Sequence, residues 1–161
     1  MIAGTETTAT ALSGITYYLL LNPSYLSKLN AEIRSAFSDF DSVHLEDLSR
    51  LKYMHAVILE GMRMYPPVPI GMQRVSPPGG VTVAGHFLPE GTIVAQHQLS
   101  TYRMEEYFKK PYEFHPERWL NDPEFKDDHL DAFEPFSFGP RNCIGKVRER
   151  SWLQIERSTL C

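Results

Sequence analysis

The ten residues Phe136-Ser137-Phe138-Gly139-Pro140-Arg141-Asn142-Cys143-Ile144-Gly145 set one cysteine in a turn punctuated by glycine, and no other stretch so narrows what the chain can build. No second thiol stands two or three residues away, so a zinc ribbon and a dithiol redox motif both fail on spacing. A lone sulfur that is to bind a metal must be held as thiolate. A free thiol titrates at about 8.5, and backbone donors at the opening of a helix favour the anion. Gly139 and Gly145 let the backbone approach closely or take positive φ, so that the amides of residues 144 to 146 can point at the sulfur. Arg141 adds a cation. Phe136 can cover the sulfur and keep water away, and hydrogen bonding and local dielectric tune a bound metal. The competing reading is a buried structural cysteine.

A chain of 161 residues with 42% apolar content is long enough for one domain, burying roughly 70% of its unfolded surface. A net charge of -4 provides no basic field for nucleic acid. Two cysteines, one of them the terminal Cys161, make no disulfide framework and suit a reducing compartment. The six histidines, His44, His55, His86, His97, His115 and His129, are scattered without ligand spacing and read as structural. The first 22 residues carry Glu6, many hydroxyls and no early positive charge, and their longest apolar run is Tyr17 to Leu21. A soluble helix is expected there rather than a signal or a membrane span.

Leu12, Ile15 and Leu19 recur at helical spacing, on a face that traces back through Thr8 towards Gly4. Asn22-Pro23 ends that helix and starts a second, with Asn22 as N-cap, Pro23 in the first turn, and Leu26, Leu29, Ile33 and Phe37 on one face. Residues 45 to 50 suggest a short helix. Met54, Val57, Ile58, Met62 and Tyr65 mark a longer one that Pro66-Pro67 stops. Extended runs Pro69 to Val75, Val81 to Ala84 and Thr92 to Gln96 form a small β region, broken by Pro77-Pro78-Gly79-Gly80 and Pro89-Glu90-Gly91. Residues 99 to 135 show a helical turn at Leu99 to Met104 and little periodicity otherwise, so a long irregular segment is expected. The fold class is mainly α with a small β region, with no repeat or internal boundary.

The string from Phe136 to Gly145 resembles F-x-x-G-x-R-x-C-x-G, the haem-binding loop of cytochromes P-450, and three further motifs precede it in order. Glu60 and Arg63, three apart on the third long helix, would alone be read as a solvent-facing pair that contributes about 0–1 kcal/mol. Ahead of such a loop they resemble the E-x-x-R of the family's helix K, and Pro116-Glu117-Arg118-Trp119 resembles its P-E-R-[FW] segment. Ala3-Gly4-Thr5-Glu6-Thr7-Thr8 resembles [AG]-G-x-[DE]-T-[TS] in the central helix over the distal haem face. The match is to the C-terminal part of a eukaryotic, fungal-type member: helices I, J and K, the irregular meander, the haem loop and the start of helix L. Residues 1–146 are then a partial family domain.

The resemblance implies that Cys143 is the axial ligand of haem iron and that Arg141 and Arg74 face the propionates. For Arg74 the competing reading is an ordinary strand-end arginine. It further implies that Ala3, Gly4, Phe136, Gly139 and Gly145 shape the haem site. Glu60, Arg63 and Arg118 would form a structural triad, and Glu6 and Thr7 would deliver protons. The implied activity is that of a haem-thiolate monooxygenase. One atom of O2 would enter a small apolar organic substrate and the other would leave as water, with electrons from NADPH through a reductase. An intact relative would sit at the endoplasmic reticulum membrane through an N-terminal anchor that this chain lacks. Substrate choice is not legible, because the loops that make it lie elsewhere.

Two departures from the family pattern stand out. Tyr102-Arg103-Met104-Glu105 replaces a common H-R-D-P, at positions taken to be remote from the chemistry. Residues 147–161 lose the expected amphipathic period and read as an aberrant tail, from a retained intron or a shifted frame, and Met1 reads as an internal methionine promoted to a start. Two alternative functions follow. One is a non-catalytic truncated product that holds no haem stably, the reading favoured for the isolated polypeptide because its apolar faces need a missing half to cover them. The other is an isomerase or dehydratase branch of the family, against which the Glu6-Thr7 pair argues.

Overall fold

A computed structural model describes residues 2–39 and 43–146 of the chain; the expected tail at 147–161 lies outside the described residues, as do the side chains of Ala3 and three others. The chain runs α1 (Ile2–Leu21), α2 (Pro23–Ala36), α3 (Leu45–Leu48), α4 (Lys52–Met64), β1 (Arg74–Val75), β2 (Val81–Val83), β3 (His86–Leu88), β4 (Ile93–Val94) and α5 (Gln98–Thr101), then a series of 3-10 turns. It is mainly α with a small β region.

The break between α1 and α2 follows from Pro23, which starts α2 where a missing amide costs nothing. Asn22 occupies the N-cap position, but its side chain does not cap α2: Nδ2 turns back and donates to the Tyr18 carbonyl at 2.8 Å, closing the end of α1 instead. α2 buries Leu29 and Ile33, and α1 buries Ala11, Ile15 and Leu19. Both faces meet α4, which is the centre of the molecule. Met54, Val57, Ile58 and Met62 are all buried, and each such side chain contributes about 1.5–3 kcal/mol by leaving water.

Two glycines set how closely α1 meets the α4 region. A Cβ on Gly61 would lie 2.1 Å from Ile15 Cγ1, and one on Gly14 would lie 2.7 Å from the Tyr65 side chain. Neither position has room for a methyl group.

The β region is two separate antiparallel ladders. In one, Arg74 pairs with Val94 and Val75 with Ile93; in the other, Val81 pairs with Leu88, Thr82 with Phe87 and Val83 with His86. The β2–β3 turn uses Ala84 (φ 49°) and Gly85 (φ 81°), the double positive-φ geometry that matches the twist of a two-residue hairpin. His86–Leu88 was not among the expected extended runs, since three residues after an Ala-Gly pair carry little alternation.

The irregular segment after α5 is held as 3-10 turns at Pro116–Leu120, Pro123–Phe125 and Leu130–Ala132. Its aromatics close the core: Tyr102, Phe108, Phe114, Phe133 and Phe136 are buried with the aliphatic residues of α1, α2 and α4. No described helix is long and apolar enough to cross a membrane.

Candidate functional site

The last turns of α4 carry charge into this core. Glu60 and Arg63 are both 0% exposed, one turn apart, with Arg63 Nε donating to Glu60 Oε2 at 2.9 Å and Nη2 to Oε1 at 2.8 Å. Arg118 arrives from the turn Pro116–Leu120, its Nε 3.2 Å from both Glu60 oxygens. The His115 amide (2.9 Å) and the Trp119 indole (3.0 Å) also donate to that carboxylate. Burial alone would raise the Glu60 pKa, but the hydrogen bonds and charge of Arg63, the charge of Arg118 and the His115 amide outweigh it and hold the carboxyl below its usual range.

The guanidiniums spend their other donors on the irregular segment. Arg63 Nη1 reaches the carbonyls of Tyr102 (2.8 Å) and Pro111 (2.7 Å), and Nη2 that of Glu113 (3.0 Å). Arg118 Nη2 donates to the Lys109 carbonyl at 3.0 Å, and its Nη1 pairs with Asp128, whose other oxygen accepts the Lys109 amide at 2.8 Å. Two cations thus face two carboxylates. The sequence reading omitted Asp128, ten residues beyond Arg118 and without a spacing rule to link them.

The cysteine loop leaves this segment at Phe136, which is buried, while Cys143 is half-buried and packs against the same core. Its amide donates to the Phe136 carbonyl at 2.8 Å, closing the loop at its neck. Gly139 takes φ +80°, and no atom would meet its Cβ within 4 Å, so the backbone angle rather than crowding calls for glycine. Ser137 takes φ +61°. Gly145 lies in the turn after the cysteine. Of the amides of residues 144 to 146 expected to point at the sulfur, that of Lys146 instead bonds the Cys143 carbonyl at 3.3 Å, a tight i→i+3 turn.

Arg74 is half-buried and shares a cleft of about 380 Å³ with Gln98, Ser137 and Phe138, so β1 and the start of the cysteine loop face one space. Arg141 is exposed on the loop. Gly4 and Glu6 are exposed and Thr7 is half-buried on the first turns of α1, an element separate from the loop, and Thr8 Oγ1 donates back to the Gly4 carbonyl at 2.8 Å. A larger hollow of about 680 Å³, lined by Arg34, Phe37, Asp47 and Arg50, contains no residue of the expected site.

The donor set suits a flat apolar macrocycle with an anionic rim. It offers one soft sulfur, two exposed apolar side chains on the same loop in Phe138 (82% exposed) and the fully exposed Ile144, and cations at Arg74 and Arg141. Haem has that chemistry.

Comparison with known proteins bears on the same residues. The family model for Cytochrome P450 matches residues 1–147. "Cytochrome P450 monooxygenase efuB" of Hormonema carpetanum is 53% identical over 147 residues, covering 91% of this chain and 29% of the relative. "Averantin hydroxylase" of Dothistroma septosporum is 47% identical over 146 residues, covering 91% and 28%. "Cytochrome P450 monooxygenase ORF11" of Penicillium roqueforti is 48% identical over 155 residues, covering 96% and 32%. The chain spans about three tenths of the length of these relatives. On the extent of this match, the chain belongs to the cytochrome P450 family.

Proposed function

We propose that this segment carries the thiolate side of a monooxygenase that inserts one atom of O2 into a small apolar organic substrate and releases the other as water. The observation that carries the reading is Cys143: a free thiol packed against the core, on a loop that is closed at its neck and that also exposes Phe138 and Ile144. Bound haem supplies the oxygen-activating redox chemistry.

The chain's own residues bind and orient. Cys143 would hold the iron through its sulfur, Phe136 keeps water from the inner side of the loop, and Gly139 and Gly145 give the turn its shape. Arg74 and Arg141 would hold the carboxylates of a bound haem. Gly4 leaves open space against the first turn of α1. Glu6, exposed, takes protons from solvent, and the half-buried Thr7 hydroxyl hands them inward. Glu60, Arg63 and Arg118 lock the irregular segment that leads into the cysteine loop. On this reading electrons come from NADPH through a reductase, and the place of action is that expected of a full-length eukaryotic relative, the endoplasmic reticulum membrane.

A second reading has its own support. Ile70, Met72, Val75, Phe87, Ile93 and Phe138 are all exposed, and so broad an apolar surface favours a chain that does not retain haem alone. One experiment separates the two. The chain is expressed with haem supplied, reduced and exposed to carbon monoxide. A thiolate-type Soret shift that Cys143→Ser abolishes is expected, whereas folded protein without the shift supports the second reading.

A further inference from the structure

Tyr102 stands where the family pattern often has histidine, and it is among the most buried side chains of the molecule, 1% exposed. Its ring packs against Phe133 and Phe108, with centroids 5.0 and 6.4 Å away, and its carbonyl accepts Arg63 Nη1 at 2.8 Å. Packing accounts for the ring but not for the hydroxyl. That oxygen accepts the Glu134 amide at 3.1 Å, and one turn back on α5 Gln98 Nε2 donates to the Glu134 carbonyl at 3.0 Å.

Two side chains four residues apart, from the first residue of α5 and from its C-cap, thus hold both backbone groups of a single residue. The same Glu134 carbonyl accepts the Ser137 amide at 3.0 Å, where the chain enters its left-handed bend, and the Phe136 carbonyl then accepts Cys143 at 2.8 Å. The bonds form one path. It runs from Glu60 through Arg63 to Tyr102, across to Glu134, and on to the neck of the cysteine loop.

We propose that Tyr102 and Gln98 are positioning residues for Cys143: they clamp the Glu134 peptide groups and thereby set where the cysteine loop begins, relaying the order of the buried ionic network to the sulfur. Its consequence for haem rests on the haem-thiolate reading, but the clamp itself does not. A partly buried amide stripped of its acceptor is costly to leave unpaired, whereas the phenyl ring of Tyr102→Phe keeps every packing contact except the oxygen. Burial raises the Tyr102 phenol above its ordinary range.

The test is peptide-resolved amide hydrogen exchange on the full 161-residue chain, comparing wild type with Tyr102→Phe and Gln98→Leu. Exchange in residues 134–146 should rise about 5- to 30-fold, the factor that a loss of about one to two kcal/mol gives, while residues 23–36 of α2 stay unchanged. Gln98 is only half-buried, so its variant decides the matter if Tyr102→Phe does not fold. Unchanged exchange in the loop, or a parallel rise in α2, overturns the clamp. A second arm uses haem-loaded protein: Tyr102→Phe should lower the thiolate-type fraction of the carbon monoxide spectrum, and Ile33→Val, a packing defect elsewhere in the core, should not. An equal loss in both variants counts against positioning. If wild type takes up no haem, the haem reading fails on that result alone, and the exchange arm still judges the clamp.

Discussion

Glu60 is a carboxylate shut away from water, and it stays charged because six donor contacts surround its two oxygens. Replacing a buried ionic group with apolar residues can be harmless, but removing one partner strands the others. Glu60→Gln leaves two guanidiniums facing each other and should cost about 3–5 kcal/mol, measurable by denaturant unfolding at neutral pH. The acid dependence follows from the same geometry. The folded carboxyl titrates below its ordinary value of 4.5, so in acid the unfolded chain binds more protons. Its contribution is therefore complete above about pH 4.5 and disappears as the pH falls through the lower folded value. Thermal melts taken between pH 7 and 3 should show that loss in wild type and lack this component in Glu60→Gln; parallel curves would place the acid sensitivity elsewhere.

At the scale of elements, α4 is central because nearly its whole circumference is buried, with α1, α2 and the turn Pro116–Leu120 all packed against it. A helix so enclosed has no neutral surface, and its one glycine is where another helix comes nearest. Gly61→Ala gains helix propensity of about 1 kcal/mol. It also drives a methyl group to 2.1 Å from Ile15 Cγ1, which no small side-chain shift relieves. Overpacking of this kind costs about 1–3 kcal/mol, so a net loss is expected in urea unfolding. The double variant Gly61→Ala/Ile15→Ala should lose less than the sum of the single changes, because the second opens the space that the first requires.

Over the whole molecule, the aliphatic and aromatic core gathers where α1, α2, α4 and the irregular segment meet, while the β region presents apolar side chains to solvent. Val75 and Ile93 stand opposite each other in the β1–β4 ladder, 65% and 62% exposed. Such a surface binds apolar dyes and promotes self-association. Ile93→Lys should lower dye fluorescence and shift sedimentation towards monomer while leaving the far-ultraviolet circular dichroism unchanged, since the replaced side chain touches solvent and not the core. An unchanged sedimentation profile would mean that another face drives association.

Much of this was open to reading from the residues because it depends on local rules. Pro23 and Pro66-Pro67 lack amides and so delimit helices wherever they occur. The period of Leu29, Ile33, Met54, Val57 and Met62 marks buried faces, and the spacing from Phe136 to Gly145 marks a cysteine turn that the family match then accompanies. What the sequence withheld depends on distance in space. Asp128 meets Arg118 through a 3-10 path with no periodicity, His86–Leu88 becomes a strand only because Val81–Val83 lies beside it, and the Tyr102 hydroxyl finds Glu134 thirty-two residues away. The sequence alone determined the helix limits, the apolar faces and the identity of the sulfur loop, because each follows from neighbours along the chain. Only tertiary structure decided which buried polar groups would share partners, because a desolvated donor must take whatever acceptor the packed fold brings within about 3 Å.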